Sequence, residues 1–380
     1  MKHSILFLIS FMLVITTVQA KEKAYIDHIS LAALLIKDGH DDRALKTLKE
    51  VDLNNEDTDF KRFYTLRALA FMHIKHYDEA VENFKLALGA GHKEPIIHIY
   101  MAQSYFKLDA FKHAITSFEK VKKLLNSKPQ YLAMYAECHW KLNKQEKSFE
   151  ILKTAALAFP KFANFHKQSF YYLTQIKLFK EAFVSAQKFI NLAKKREKAY
   201  LLTGSILGQS KEYEAALQIL QEGKLAFPKH SDITVMLAHL YIKKGDVQAA
   251  ADLFDQASIM DSKYIKEASE LYRRAKKLYR ALYFNTQIKD QKEKYKQRMA
   301  ILLEFADFEM IAAMEATLKR VDLIKDEDIR YALAFTLFQT GQYKKSEEHL
   351  SQLMRADNFN KSIELRKMID SCKKSPWKCN

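Results

Sequence analysis

Histidine and cysteine side chains are the groups in this chain that could hold a metal or start a nucleophilic reaction, but their spacing argues against both. His73 and His76 lie three residues apart without an acidic or thiol partner at metal-ligand spacing. Cys138 and His139 are adjacent, so on a helix their side chains point in different directions and form no nucleophile–base pair. We therefore predict two surface histidines and an inert, buried Cys138.

Other catalytic patterns are missing from the sequence. It has no glycine-rich phosphate loop, and no serine stands in a nucleophile elbow. Paired carboxylates such as Glu347 and Glu348 fit the polar face of a helix. The sequence thus predicts a protein that is not an enzyme and has no catalytic residue, metal site or cofactor. A weaker alternative is an enzyme with a divergent site in residues 265–325.

Residues 1–20 have the pattern of an export signal. Lys2 precedes an apolar run from Ile5 to Val18, and Val18 and Ala20 form a small-residue cleavage pattern before Lys21. The alternative is an uncleaved membrane anchor, although a span needs ~20 apolar residues. We predict cleavage before Lys21, export, and a periplasmic location if the source is a Gram-negative bacterium.

Two further cysteines, Cys372 and Cys379, bracket the segment CKKSPWKC. In an oxidising compartment two nearby cysteines tend to pair, so the export signal favours a disulfide. Closing this small ring would stabilise the chain by ~2–3 kcal/mol in the loop-entropy picture. The alternative is two free thiols on a frayed tail.

Small residues recur at one fixed interval along the chain. The helices that this period predicts must position all the candidate functional side chains. When repeats are counted from residue 61, small residues occupy positions 8 and 20, where helices cross closely, and large ones occupy positions 11 and 24. Phe170, at position 8, departs from the pattern and leaves the local helix spacing open. The small residues at position 20 are Ala80, Ala114, Ser148, Ala182, Ala216 and Ala250.

Helix-breaking residues keep the same phase. Pro95 and Pro129 fall where a first helix begins, and Pro160 and Pro228 fall between repeats. At position 15, the turn inside a repeat, a left-handed glycine is expected to end the first helix. The glycines at this position are Gly39, Gly245 and Gly341.

With this period, which is that of a helix–turn–helix unit, the chain resembles the tetratricopeptide repeat family. The segments that carry the resemblance are YTLRALAFMHIKHYDEAVENFKLAL from Tyr64 and TVMLAHLYIKKGDVQAAADLFDQA from Thr234. The resemblance implies an all-α protein, a right-handed superhelical solenoid of about nine helix–turn–helix repeats. The expected organisation is a signal peptide (1–20), an N-terminal repeat (21–60), six repeats in register (61–264), divergent helical repeats (265–325), a C-terminal repeat with a capping helix (326–371) and a cysteine-bracketed tail (372–380).

The resemblance also implies a concave binding face, lined by positions 2, 5, 9, 12 and 13 of each first helix. Lysines recur at position 13, and an acidic or extended peptide would suit them. Trp140 and Tyr171 are candidate anchors, with packing between helices as the equal alternative. The candidate groove residues are Arg62, Gln103, Lys107, Glu137, Trp140, Lys141, Lys167, Tyr171, His239 and Lys243.

These observations predict a non-catalytic scaffold that binds segments of other exported proteins and assembles or regulates a cell-envelope complex. The net charge of +16 leaves open a second function, binding of a polyanion such as surface polysaccharide or nucleic acid. Basic clusters at 194–196 and 273–280 would carry it, and the alternative for them is a solvated helix face. A small-molecule substrate is not expected, and membrane contact is expected only peripherally.

Overall fold

The computed structural model describes residues 26–374, which contain 23 α-helices and no β-strand. The predicted signal peptide and Cys379 lie outside these residues. The chain divides into unit 1, residues 1–155, and unit 2, residues 156–380. None of the described helices is both long and apolar enough to cross a membrane.

The helices of unit 1 are α1 (His28–Lys37), α2 (Asp41–Leu48), α3 (Phe60–His73), α4 (Tyr77–Gly89), α5 (Ile96–Lys107), α6 (Phe111–Glu119), α7 (Lys122–Leu125), α8 (Pro129–Lys141) and α9 (Gln145–Ala158), which ends just past the boundary. Those of unit 2 are α10 (Asn164–Gln175), α11 (Phe179–Leu192), α12 (Glu197–Gln209), α13 (Tyr213–Ala226), α14 (Ser231–Lys244), α15 (Val247–Met260), α16 (Ile265–Arg274), α17 (Leu278–Gln287), α18 (Gln291–Phe305), α19 (Phe308–Ala313), α20 (Glu315–Arg320), α21 (Glu327–Gln339), α22 (Tyr343–Leu350) and α23 (Ala356–Lys374).

Helices pack in consecutive pairs, as expected of an α-solenoid. In unit 1, α1 packs on α2, α3 on α4 and α5 on α6, while a hydrogen bond from Ser148 Oγ to the Ala136 carbonyl (2.9 Å) ties α9 to α8. In unit 2 the pairs are α10 with α11, α12 with α13, α14 with α15, α16 with α17, and α21 with α22. The second helix of a pair also packs on the first helix of the next pair, as α13 does on α14. Each pair therefore buries its apolar faces only by stacking on its neighbours.

A left-handed residue closes the first helix of every pair. The glycines predicted for this role adopt it, with φ of 77° at Gly39, 86° at Gly245 and 72° at Gly341. The amide of the following residue donates back to the helix, as His76 N does to the Phe71 carbonyl at 2.9 Å, which is the Schellman arrangement. The left-handed residues of the ten turns are Gly39, Lys75, Asp109, Asn143, Lys177, Lys211, Gly245, Lys276, Ala306 and Gly341.

The spacing between these turns gives the length of each repeat. From Lys75 to Gly245 each turn follows the last by the predicted period. The next two intervals, which end at Lys276 and Ala306, are shorter, and the interval from Ala306 to Gly341 returns close to the full period. The region that drifts from the sequence period thus still consists of helix pairs, and its connections are shortened.

The alternation of small and large side chains forms the core, as the sequence predicts. Every alanine at positions 8 and 20 of the six regular repeats is fully buried, and so are Phe84, Phe118 and Phe254 at position 24. Phe170 is also fully buried and packs in one cluster with Ala182 and Ala186 of α11. The bulky residue therefore faces small partners on the second helix, and the helix pair remains closed around it.

Gly204 lies where helices α12 and α13 approach each other closely. A Cβ atom added there would lie 2.6 Å from Cγ of the buried Leu220. We predict that Gly204→Ala lowers the free energy of unfolding by about 1–3 kcal/mol through overpacking, although alanine favours helix. Urea denaturation would measure it. Gly208→Ala is the matched control, because its Cβ would approach only the flexible Cδ2 of Leu240 (2.9 Å). Equal stability of the two variants would contradict the prediction.

Candidate binding faces of the helix pairs

Several first helices of successive pairs contact each other directly. These are α1 with α3 and α5 with α8 in unit 1, and α12 with α14 and α16 with α18 in unit 2. Among the described helices, no two successive second helices make comparable contact. Because the first helices are closer together, their exposed side forms the concave surface, which we call the inner face.

In unit 1 the inner face begins with Arg62 on α3. Its guanidinium Nη1 donates to Ser30 Oγ of α1 at 3.1 Å, and its backbone amide is held by the Asp59 carboxylate at 3.0 Å. Arg62 also lines a surface pocket of about 870 Å³ between α3 and the loop that leads to α5. On α5, Gln103 is half-buried and Lys107 is exposed. This part of the face is polar and accessible.

Trp140 on α8 is half-buried and meets the second helix of its own pair. Its ring stands edge-on to Phe149, with centroids 5.8 Å apart. Packing between helices therefore accounts for part of this side chain, and a fraction of it is exposed to solvent. On the same helix, Glu137 is half-buried and Lys141 is exposed.

In unit 2 the predicted residues lie on α10 and α14. The Lys167 ammonium sits 5.9 Å from the Tyr171 ring centre, and the Tyr171 ring is 5.8 Å from Phe170. Tyr171 is half-buried, so it too combines packing with exposure. His239 and Lys243 are exposed on α14. Helix α12, which carries none of the predicted residues, lies between α10 and α14 in the chain.

The structure adds a charged group to the inner face that the sequence period missed. Arg273 Nε donates to Glu270 Oε2 at 2.8 Å, and the guanidinium also pairs with Glu304 of α18. The hydrogen bond to Glu270 raises the pKa of Arg273, so it stays charged. Counted back from the left-handed Lys276, Glu270 and Arg273 occupy positions 9 and 12. Had the turn at Lys276 been recognised in the sequence, both residues would have been assigned to these repeat positions.

Much of the basic cluster 273–280 is paired with acidic side chains of neighbouring helices. Lys276 Nζ lies 2.8 Å from Glu304 Oε2, and Arg280 lies 3.4 Å from Asp252 and 3.5 Å from Asp255. The Tyr272 hydroxyl lies within hydrogen-bond distance of both aspartates, 2.8 Å from Asp252 Oδ1 and 3.1 Å from Asp255 Oδ2, and can donate its one proton to either. This cluster joins α15, α16 and α17 to one another, which weakens its assignment as a polyanion site.

A second surface feature lies where the second helices α11 and α13 meet the end of α14. It is a pocket of about 590 Å³ with Phe179, Phe183 and Leu217 among its lining residues. At its rim Lys244 Nζ pairs with Glu214 Oε1 at 2.5 Å. The pocket thus offers apolar surface with a neutralised rim, and it contains none of the predicted groove residues.

The histidines and cysteines were the sequence's candidates for metal binding and nucleophilic chemistry. The described residues contain no group of three or more histidine, cysteine or acidic side chains that could hold a metal. Cys138 is buried, as predicted, and burial raises the pKa of its thiol to about 12, which disfavours the reactive thiolate. His73 and His76 are exposed, as predicted. The expectation that they have no acidic partner is wrong, because Asp41 Oδ1 of α2 lies 2.9 Å from His73 Nδ1 and Glu79 Oε1 lies 3.4 Å from His76 Nδ1. Cys372 is buried at the end of α23, and its pairing with Cys379 stays a prediction because Cys379 lies outside the described residues.

Comparison with known proteins agrees with the repeat architecture. Residues 208–281 match the family model described as tetratricopeptide repeat. The TPR repeat-containing protein MJ1428 of Methanocaldococcus jannaschii is 24% identical over 316 residues, covering 73% of this chain and 53% of its own length. The chain therefore spans about half the length of this curated relative.

Solved structures with similar helix arrangements share little sequence. A tetratricopeptide repeat protein from Parabacteroides merdae matches 64% of this chain and 96% of its own, with 13% identity and a TM-score of 0.45. MamA from Desulfovibrio magneticus RS-1 matches 45% of this chain and 97% of its own, with 14% identity and a TM-score of 0.35. The C-terminal part of a TPR repeat-containing protein from Cytophaga hutchinsonii matches 72% and 94%, with 14% identity and a TM-score of 0.38.

Proposed function

Because this chain is a tetratricopeptide-repeat protein, we propose that it is a non-catalytic scaffold that binds segments of other proteins on its inner face. The observation that carries this proposal is the exposure of Lys107, Lys141 and Lys243, which occupy one position of their repeats on that face. Two half-buried aromatic residues belong to the same face, Trp140 on the helix that carries Lys141 and Tyr171 on α10. Tryptophan, tyrosine and arginine are the residue types enriched among those that dominate binding energy in protein interfaces.

The partner that fits this face is an extended segment with acidic side chains. Lys107 and Lys141 lie on successive first helices of unit 1 and attract carboxylates, while Trp140 offers an apolar surface beside them. We further propose that the partners are exported or envelope proteins and that the complex serves assembly or regulation of the cell envelope. The support for this location is the signal pattern of residues 1–20.

The test is capture of partners from the exported fraction, followed by affinity measurement with a peptide from one captured protein. We expect Trp140→Ala to weaken binding by about 30-fold, the value of a hot-spot residue, and Lys141→Ala to weaken it less. Lys144→Ala is the matched control, because Lys144 is equally exposed but lies just beyond the end of α8. Circular dichroism would verify that Trp140→Ala keeps its helices.

Two outcomes would reject the inner face as the binding surface. One is unchanged affinity in both the Trp140 and Lys141 variants. The other is an affinity that falls by roughly 10³-fold or more between about 50 and 200 mM salt, which is the behaviour of a polyanion site. The second outcome would favour binding of polysaccharide or nucleic acid instead.

A further inference from the structure

The loops between the repeats of unit 2 carry lysine at one fixed position. Lys161, Lys195, Lys229 and Lys263 follow one another by the repeat period, and all four are exposed. Each stands in the loop that follows a second helix, at the opposite end of the helix pair from the left-handed turn. Helices of about 14 residues separate the two ends by ~20 Å. The lysines therefore form a row along one edge of the unit, which we call the loop edge.

Aliphatic side chains accompany these lysines. Four residues before Lys161, Lys229 and Lys263 stand Leu157, Leu225 and Ile259, which are 78%, 82% and 82% exposed. Single exposed aliphatic residues are common on protein surfaces. Three of them at the same repeat position, each in the last turn before a lysine, make an amphipathic row.

The ends of these second helices lie side by side. Lys224 Nζ of α13 hydrogen-bonds to Gln256 Oε1 of α15, although the residues are 32 positions apart in sequence. Leu225 follows the first of these residues, and Ile259 lies one helical turn beyond the second. The two aliphatic side chains therefore stand on neighbouring helix ends of the loop edge.

The charge of the loop edge is positive. Lys194 and Arg196 flank Lys195 and are also exposed. The acidic residue at the row itself is Asp261, which pairs with Lys263 at 2.7 Å. Glu197 and Asp232 begin the next helices. The other cations of the row form no ion pair within residues 26–374 and face solvent.

We propose that the loop edge of unit 2 binds an anionic lipid surface. Leu157, Leu225 and Ile259 enter the boundary between head groups and acyl chains, and the lysines contact anionic head groups. A single-stranded nucleic acid is bound by exposed aromatic side chains that stack on its bases. The strongly exposed apolar residues of this row are aliphatic, and the aromatic residues of the same loops, Phe162, Phe227 and Tyr264, are half-buried. A protein partner would need a separate pocket for each of the three side chains, whereas acyl chains accept each one independently.

The test is sedimentation with vesicles of phosphatidylcholine, with or without phosphatidylglycerol. The protein without residues 1–20 is used, because the sequence predicts that this apolar segment is removed on export. We expect strong binding only to vesicles that contain phosphatidylglycerol. Changing Lys161, Lys195 and Lys229 to glutamine should lower the partition coefficient about 100-fold, since each lysine near an anionic surface contributes about fivefold. Changing Leu157, Leu225 and Ile259 to serine should lower it at least about tenfold.

The matched control changes the same number of charges at the opposite ends of the helix pairs. Lys177 and Lys211 are exposed in left-handed turns and Lys180 is exposed in the first turn of α11, and replacing these three by glutamine should alter binding less than about twofold. The proposal is overturned if wild-type protein binds neither vesicle, if the control loses as much as the loop-edge variant, or if the serine variant binds as wild type does. Preferential binding of single-stranded RNA would also overturn it.

Discussion

Replacing Phe170 by alanine should lower the free energy of unfolding by about 3–5 kcal/mol, even though alanine or glycine occupies this position in the other regular repeats. The ring is fully buried and packs with Ala182 and Ala186 of α11. Removing the ring leaves a cavity beside these two small residues. Urea denaturation combined with hydrogen exchange of α10 and α11 would measure the effect.

Phe170→Leu is the matched variant, since it keeps most of the apolar volume and should lose clearly less than the alanine variant. Stacked repeats do not always unfold in one step, so exchange rates report whether α10 and α11 open separately. Unchanged stability of Phe170→Ala would contradict the prediction. It would mean that α10 moves toward α11 and fills the space of the ring, so that the distance between the two helices becomes that of the neighbouring pairs.

The fold could be predicted from the sequence wherever the period holds. A constant spacing fixes which residues face the partner helix, so the buried alanines and the glycine turns followed directly. The period fails after Gly245, because connections shorten and Met299 and Ile311 replace the small pair at the crossing. The left-handed turns at Lys276 and Ala306 keep the architecture, but nothing in a lysine or alanine indicates a positive φ.

Of the candidate site, the sequence could predict only which side of each first helix is exposed. Phase alone placed Lys107, Lys141 and Lys243 on an exposed side, as the structure has them. Side-chain partners between repeats depend on how pairs stack, which a single sequence does not encode locally. The pairing of Arg273 with Glu304, on the next first helix, is one such contact. It explains why a basic cluster that looks free in the sequence is largely neutralised.

The free energy of unfolding should fall steeply as the pH drops below about 6.5, the ordinary pKa of histidine. His139 and His349 are buried, and burial lowers the pKa of both, although Glu315 opposes the shift at His349. Below that pH the unfolded chain takes up protons that the native chain does not bind. Stability is therefore lost toward acid, by up to about 1.4 kcal/mol per pH unit for each histidine that stays neutral.

His139→Phe tests this account most directly. Neither ring nitrogen of His139 has a hydrogen-bond partner among the described residues, and its ring meets Tyr135 edge-on at 4.7 Å, a contact that phenylalanine can keep. Between about pH 7.5 and 5.5, the free energy of unfolding of this variant, measured by urea denaturation at constant salt, should fall less steeply than that of wild type. The control is His40→Gln, at an exposed position, which should show the wild-type slope. An unchanged slope would mean that the native chain protonates His139. Lys144 and Lys147 also disfavour that proton, so water would then have to reach the space between α8 and α9.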